Sequence, residues 1–334
     1  MFGASLSHIT AEAVVPEQLV HYVRAVSGRR ALLCREYAAY IHEGHAVLAA
    51  YSGAPRAEPR YSPSSCDAKG RGDPDWSGGP GKEAGEAQPR PAPGSPFPEP
   101  PSLHEALEEL AKSCSSVTVL APYRPKEAPS DAESRADLYW RLPIPAPPVG
   151  QKLRNMLTRA GRDLTVEIEA WSDEHADIVR EYLDTRPLPP GTRAVFSSIN
   201  RYALQEPDDA PGEARNVLLV SARLNDGRLT AFSIGDFSGL HTAFYMFAFR
   251  RKTAPPGSAD LLLARLLSHA ETMGHSRMNL GLGINSGIGF FKKKWKAQPF
   301  LPYVETSWQL PAGGKKTLAP GFLSRVSGLW GKKP

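Results

Sequence analysis

Hydrophobic positions along the chain recur at two spacings, and each change of spacing marks an element. Between 102 and 113, Leu103, Leu107 and Leu110 fall every three to four residues, which predicts a helix with one buried face. Between 258 and 273 the stripe is Leu262, Leu266, Ala270 and Met273, behind Ser258 as N-cap and Asp260 in the first turn, with Gly274 as the stop. Helices are also predicted over 16–26 and 173–184. Strand-length runs occupy 36–41, 45–51, 116–121, 216–224, 228–236, 241–250 and 278–282. The tight hairpin turn Asn225-Asp226-Gly227 joins the fourth run to the fifth. In the last run, Met278, Leu280 and Leu282 point inward and Asn279 and Gly281 outward.

Read in order, these elements form helix, hairpin, helix, strand, and then the same series again. The two series share no residue-by-residue identity, so the repeat is one of architecture. The pattern predicts an α/β (α+β) protein of two domains, each a mixed, largely antiparallel sheet with flanking helices. The expected domains are 1–125 and 151–310, followed by a basic tail at 311–334. Between them, 126–150 is expected to hold a linker and the first strand of the second domain, in a proline-rich join containing Pro122, Pro125, Pro129 and the Pro143–Pro148 cluster. Residues 53–101 interrupt the first domain with twelve prolines, eight glycines and no Leu, Ile, Val or Met. Such a stretch cannot bury enough surface to offset chain entropy, so disorder is expected there.

Composition narrows the setting. The three cysteines, Cys34, Cys66 and Cys114, are widely spaced and include no CxxC, which points to a reducing compartment and to no ribbon-type metal site. The first fifteen residues lack the basic start and apolar core of a secretory signal, and no apolar run reaches the ~18 residues that cross a bilayer. A cytoplasmic protein is expected. From Lys292 onward, eight lysines and one arginine stand against one glutamate, so the positive charge is local. That end suits a polyanion or, through Phe322, Leu323, Val326, Leu329 and Trp330 beside Lys332 and Lys333, a peripheral membrane contact.

Three segments carry candidate chemistry. Arg250, Arg251 and Lys252 precede Gly257 and Ser258 at the start of the predicted helix, and helix N-terminal N–H groups beside basic residues make an anion site. Pro255 and Pro256 remove two N–H donors from that loop. The glycine-rich turn Gly281-Leu-Gly283-Ile-Asn285-Ser-Gly287 has the wrong spacing for a dinucleotide fingerprint and instead lets a substrate approach the backbone, with Asn285 able to adopt a left-handed conformation. Phe291-Lys292-Lys293-Lys294-Trp295 follows on a short helix that sets Ile288, Phe291 and Trp295 on one face. Asp236, at a strand end, is the best-placed carboxylate for a general base, and Tyr245 on the neighbouring strand could protonate a leaving group. Cys34, His42 and His45 lack metal-site spacing.

This order of elements, ending in an aromatic-lysine cluster, resembles the catalytic half of GNAT-fold acyltransferases. Within them it looks most like the FemAB-type aminoacyltransferases and the phosphatidylglycerol lysyltransferase catalytic domain, which carry a Phe-Lys element at the place of Phe291-Lys292. The resemblance implies tandem GNAT-like domains and a transferase that moves an acyl or aminoacyl group to an amine or hydroxyl. It implies acyl-CoA or aminoacyl-tRNA as co-substrate, with no permanently bound cofactor and no metal. Arg250, Arg251, Gly257, Ser258, Asn285 and Phe291 would hold the donor, and Lys292 would stabilise the oxyanion formed as the nucleophile attacks. The basic helix suggested by Lys152, Arg154, Arg159 and Arg162 would open the second domain. The alternatives are an acyl-CoA-dependent N-acetyltransferase and a catalytically inactive binding protein on the same fold.

Overall fold

The computed structural model describes residues 5–51, 102–204, 216–283 and 285–311. The expectations for the 53–101 insert and for the basic and apolar residues after 311 lie outside the described residues.

In chain order, α1 (Leu6–Ala11), a 3-10 turn (Pro16–Gln18) and α2 (Val20–Ser27) precede β1 (Arg30–Cys34), β2 (Tyr37–His42) and β3 (His45–Ala49). Then come α3 (Ser102–Ala111), β4 (Ser116–Ala121), β5 (Glu133–Pro143), α4 (Gln151–Asp163), β6 (Leu164–Ile168), α5 (Asp173–Asp184), α6 (Pro190–Ser197) and α7 (Ile199–Leu204). The chain continues with β7 (Val217–Leu224), β8 (Leu229–Asp236), β9 (Thr242–Arg250), α8 (Ser258–Thr272), β10 (Arg277–Leu282), α9 (Ser286–Lys294) and β11 (Gln298–Gln309).

Among the described residues, eleven strands join one sheet in the order β1-β2-β3-β4-β11-β5-β10-β9-β8-β7-β6. The repeat is visible in it. In the first half β1, β2 and β3 run antiparallel, α3 crosses over, and β4 returns parallel to β3. In the second half β7, β8 and β9 run antiparallel, α8 crosses over, and β10 returns parallel to β9. The strand that follows each unit pairs with the other unit: β5 lies against β10 and β11 against β4, and β5 and β11 pair with each other. This exchange fuses what the repeat predicts as two sheets into one.

The stretch expected to hold a linker and one strand supplies β5 at the middle of the sheet. Prolines sit inside β11 at Pro299 and Pro302, which masks that strand in a propensity pattern. The predicted helix over 16–26 is split. Leu19 is extended (φ −78°, ψ 92°), and the Gln18 amide oxygen accepts from the N–H groups of Val14 and Val15, so residues 13–19 form a strap built around the 3-10 turn rather than a continuous α-helix. A large apolar cluster containing Tyr22, Tyr139, Phe232, Phe244 and Tyr303 runs through both halves, and a second, containing Leu262, Leu266, Met278 and Trp295, fills the space between the sheet and α8.

Candidate functional site

Parallel strands β9 and β10 stay together for only three residue pairs, Thr242–Phe244 against Arg277–Asn279. Two irregularities drive them apart. On β9 an extra residue, Met246, sits between Tyr245, which faces Gly235, and Phe247, which faces Ile234. This bulge turns Tyr245 towards α8 and Phe247 into the cluster on the opposite face. On β10 the register with β5 shifts between Asn279 and Leu282, where Gly281 takes φ 76°, a conformation that glycine adopts without strain. Beyond Phe244, β9 therefore has no strand partner on its β10 side among the described residues.

Lys292 reaches the β10 bulge, at the end of this parting of β9 and β10, from α9. Its side chain is 2% exposed, and Nζ donates to the carbonyl oxygens of Gly281 (2.8 Å) and Leu282 (2.5 Å). Burial pulls its ammonium down to about 7, and the negative charge of Asp137 works the other way. Asp137 is itself fixed, because Oδ1 accepts from Gly283 N (3.1 Å) and Leu138 N (2.6 Å). The bulge is thus held from both sides: Gly281 N–H donates to Asn279 Oδ1 (2.7 Å), and Asn279 Nδ2 donates to Val14 O (2.8 Å) in the strap. Asn279, expected to point outward, is buried because the strap of the first half covers that face.

The three lysines of α9 have three different environments. Lys292 is buried and Lys293 exposed. Lys294 Nζ lies 2.7 and 2.8 Å from the two oxygens of Asp260, in the first turn of α8. Asp260 Oδ1 also accepts from Trp295 Nε1 at 2.8 Å. Phe291 stacks on Tyr245, with ring centroids 6.3 Å apart. Tyr245 accepts from Ser233 Oγ (3.3 Å), and burial raises its phenol to about 12 despite that bond, so it is protonated across the ordinary pH range.

The other expected site residues are placed as follows. Asp236 is fully buried; its Oδ2 is 2.6 Å from His21 Nε2 and accepts from Tyr202 Oη at 2.6 Å, while Oδ1 accepts from Ser238 N at 2.9 Å. Burial works to raise its carboxyl, but these partners hold it below the usual carboxylate range. A carboxylate so enclosed is a clamp between β8, α7 and α2 of the first half, and we do not carry it forward as a general base. Arg250 is exposed. Arg251 turns to α5, where Nη1 meets Glu181 Oε2 at 3.2 Å, and Lys252 N–H donates to the other oxygen of Glu181. The cap of α8 falls on Gly257, in a left-handed conformation (φ 91°), rather than on Ser258, whose Oγ donates to Pro255 O. A Cβ at Gly257 would lie 3.0 Å from atoms of Met156 and Ala160, so α4 packs against the start of α8. Asn285 is extended instead of left-handed and caps α9, its Oδ1 accepting from Ile288 N at 3.0 Å.

A second polar cluster lies beneath the strap. Tyr139 Oη on β5 donates to Glu17 Oε2 at 2.7 Å, and Tyr303 Oη on β11 donates to Glu305 Oε2 at 2.8 Å. Burial pushes Glu17 up to about 7 against the pull of the Tyr139 bond, with Glu305 adding to the rise. Two buried histidines have structural partners. His45 is bonded to Ser116 and Thr118 and is held down to about 4, first by burial and then by Arg29. His175 Nδ1 accepts from Ser172 N, which leaves Nε2 to carry the proton towards Ser221 Oγ. In that tautomer His175 cannot take a proton from Ser221, so the pair is no nucleophile.

Residues 150–294 match the family model described as the acetyltransferase (GNAT) domain. In solved structures the chain resembles the C-terminal domain of a protein described as a lysylphosphatidylglycerol synthetase from Agrobacterium fabrum, at 14% identity and TM-score 0.52 over 90% of each chain. It also resembles L-PGS from Bacillus licheniformis, at 14% identity and TM-score 0.51 over 97% of this chain and 99% of that one. A conserved protein of unknown function from Bacteroides thetaiotaomicron aligns at 10% identity and TM-score 0.51, over 90% of this chain and 95% of the other. No curated protein matches the sequence. These likenesses establish the fold. Among the described residues no helix is long and apolar enough to cross a membrane.

Proposed function

With a GNAT domain at residues 150–294 as the premise, we propose that this protein is a transferase that moves an acyl or aminoacyl group from an activated ester or thioester to an amine or hydroxyl, where β9 and β10 part. The observation that carries this reading is Lys292: a buried ammonium held at the β10 bulge, beside an unpaired strand edge and a stacked Tyr245–Phe291 pair. As an ammonium it has three donors, and the carbonyls of Gly281 and Leu282 accept two. The third is available to the oxygen of a carbonyl under attack. A fixed charge in a site with little water lowers the barrier to a developing oxyanion by several kcal/mol, on the order of 3 kcal/mol per donor.

In the reaction, the nucleophile's lone pair forms a C–N or C–O bond to the donor carbonyl, and the C–S or C–O bond to the carrier then breaks. The nucleophile loses a proton and the departing thiolate or alkoxide gains one. Tyr245, kept protonated by burial, can supply that proton and is restored by the one the nucleophile loses, so the transfer leaves the protein unchanged. Donor class is the open half of the proposal. With Pro255 and Pro256 in the loop and Arg251 on Glu181, few groups remain there for a pyrophosphate, which favours an aminoacyl ester over acyl-CoA.

The test is direct. The purified protein is incubated with labelled acetyl-CoA, or with tRNA charged with labelled amino acids, and a mixture of amine acceptors. Transfer from either donor that falls with Lys292→Met supports the reading. Tight donor binding without turnover, unchanged by that substitution, would make the protein a binding module.

A further inference from the structure

Asp260 lies in the first turn of α8, 4% exposed, yet its partners are all 34 or 35 residues away on another helix. Its carboxylate takes the Lys294 ammonium on both oxygens and the Trp295 indole N–H on one. Those two residues end α9, and the same helix carries Phe291 and Lys292 one turn earlier. A 3.6-residue turn makes the consequence geometric: fixing Lys294 and Trp295 sets the rotation of α9 about its axis. That rotation decides whether Phe291 meets Tyr245 and whether Lys292, rather than exposed Lys293, faces the β10 bulge.

The start of α9 offers little to hold it otherwise. Gly287 and Gly289 both lie in its first turns, and Phe290 projects into solvent at 70% exposure. Apart from the cap at Asn285, the helix is anchored at its far end, through Phe291, Lys292, the ring of Trp295 in the apolar cluster and the Asp260 contacts. We propose that Asp260 is a positioning residue, which holds α9 in the rotation that delivers Lys292 to the Gly281–Leu282 carbonyls. This rests on the transferase reading only for its functional meaning; the positioning itself is a statement about Lys292 and can be tested without a substrate.

The experiment measures the rate at which a small amine-reactive ester, N-acetoxysuccinimide, acetylates individual lysines, read by peptide mass spectrometry at pH 8. In the native protein Lys292 should react far more slowly than Lys293, its exposed neighbour, because its amine is buried and bonded. Asp260→Asn keeps an oxygen for Trp295 but loses the charge partner of Lys294, and Asp260→Ala loses both. The Lys292-to-Lys293 rate ratio should rise several-fold in the first and at least ~10-fold in the second, while the exposed Lys152 on α4 keeps its native rate. Lys294→Met should reproduce the Asn effect and add little to it in the double variant, because both remove one interaction.

An unchanged ratio in folded Asp260→Ala would overturn the proposal, as would equal acceleration of Lys152, which would report general unfolding. If Asp260→Ala does not fold, Asp260→Asn and Lys294→Met decide it. Where the native protein also turns over a donor, Asp260→Asn should lower kcat about 10-fold at unchanged KM for the donor. Absence of any turnover would count against the transferase reading and leave the labelling result standing.

Discussion

Tyr139, on the central strand, donates a hydrogen bond to Glu17, in the strap contributed by the first half, across 122 residues of sequence. It is a polar bond inside an apolar cluster, and it joins the halves where the sheet is fused.

Glu17 therefore links stability to acidity. Its folded-state value, pushed by burial to about 7 from an ordinary 4.5, means that the native protein retains a proton the unfolded chain has lost. The contribution is fully present below about pH 4.5 and is lost as pH rises through 7. Glu17→Gln keeps an acceptor for Tyr139 and cannot ionise. It should raise stability at pH 8 by roughly 1–3 kcal/mol and leave it unchanged near pH 4, measured by denaturant unfolding across that range.

For Lys292 the rate prediction concerns the three adjacent lysines. Lys292→Met should lower transfer ~10²-fold or more at nearly constant donor affinity. Lys293→Met, on an exposed position, should be neutral, and Lys294→Met should fall between them through Asp260. Equal small losses in all three would reduce the cluster to a basic patch.

The same lysine gives a second pH signature of opposite sign. Its folded value is depressed by burial to about 7 from 10.5, so between those limits the unfolded chain binds the extra proton and stability rises with pH. Lys292→Met should raise the melting temperature most at pH 6, with the gain shrinking towards pH 10. Transfer that depends on the ammonium should decline as pH rises through about 7, and a rate that climbs monotonically to pH 9 would contradict the oxyanion role.

Asp236 should prove structural. Asp236→Asn replaces one of the oxygens shared among His21, Tyr202 and Ser238 with a donor, so it should cost about 3 kcal/mol in thermal or denaturant unfolding. Because the bonded carboxylate is held below the ordinary range, the native protein should lose that support on acidification, and the variant should show a flatter acid limb. A loss of transfer far beyond the loss of folded protein would restore the general-base role.

Much of the fold is legible in the chain because its signals are local. The helix predicted over 173–184 and the strand over 116–121 coincide with α5 and β4, where apolar period and turn residues agree. β11 is hidden because Pro299 and Pro302 read against a strand, whereas a strand is expected within 126–150 and only its pairing across the sheet gives β5 its bounds and its central place. At the site, the Phe-Lys run marks α9, but nothing near Asp260 announces Lys294 and Trp295. Nor does any local pattern connect His21 with Asp236, which are 215 residues apart. Glu17 is invisible for the same reason: its character comes from the tyrosines that surround it after folding, not from its neighbours in sequence.

The exchange of β5 and β11 also sets an order of events during synthesis. A ribosome completes β4 and β5 long before it reaches Gln298–Gln309, so from residue 121 to residue 298 of elongation the nascent first half offers an open strand edge at Ser116–Ala121. Such an edge is a template for any extended segment, including one from a neighbouring nascent chain. The two halves should consequently be poor candidates for separate expression, and pairing β11 of one molecule with β4 of another is the natural route to a domain-swapped dimer.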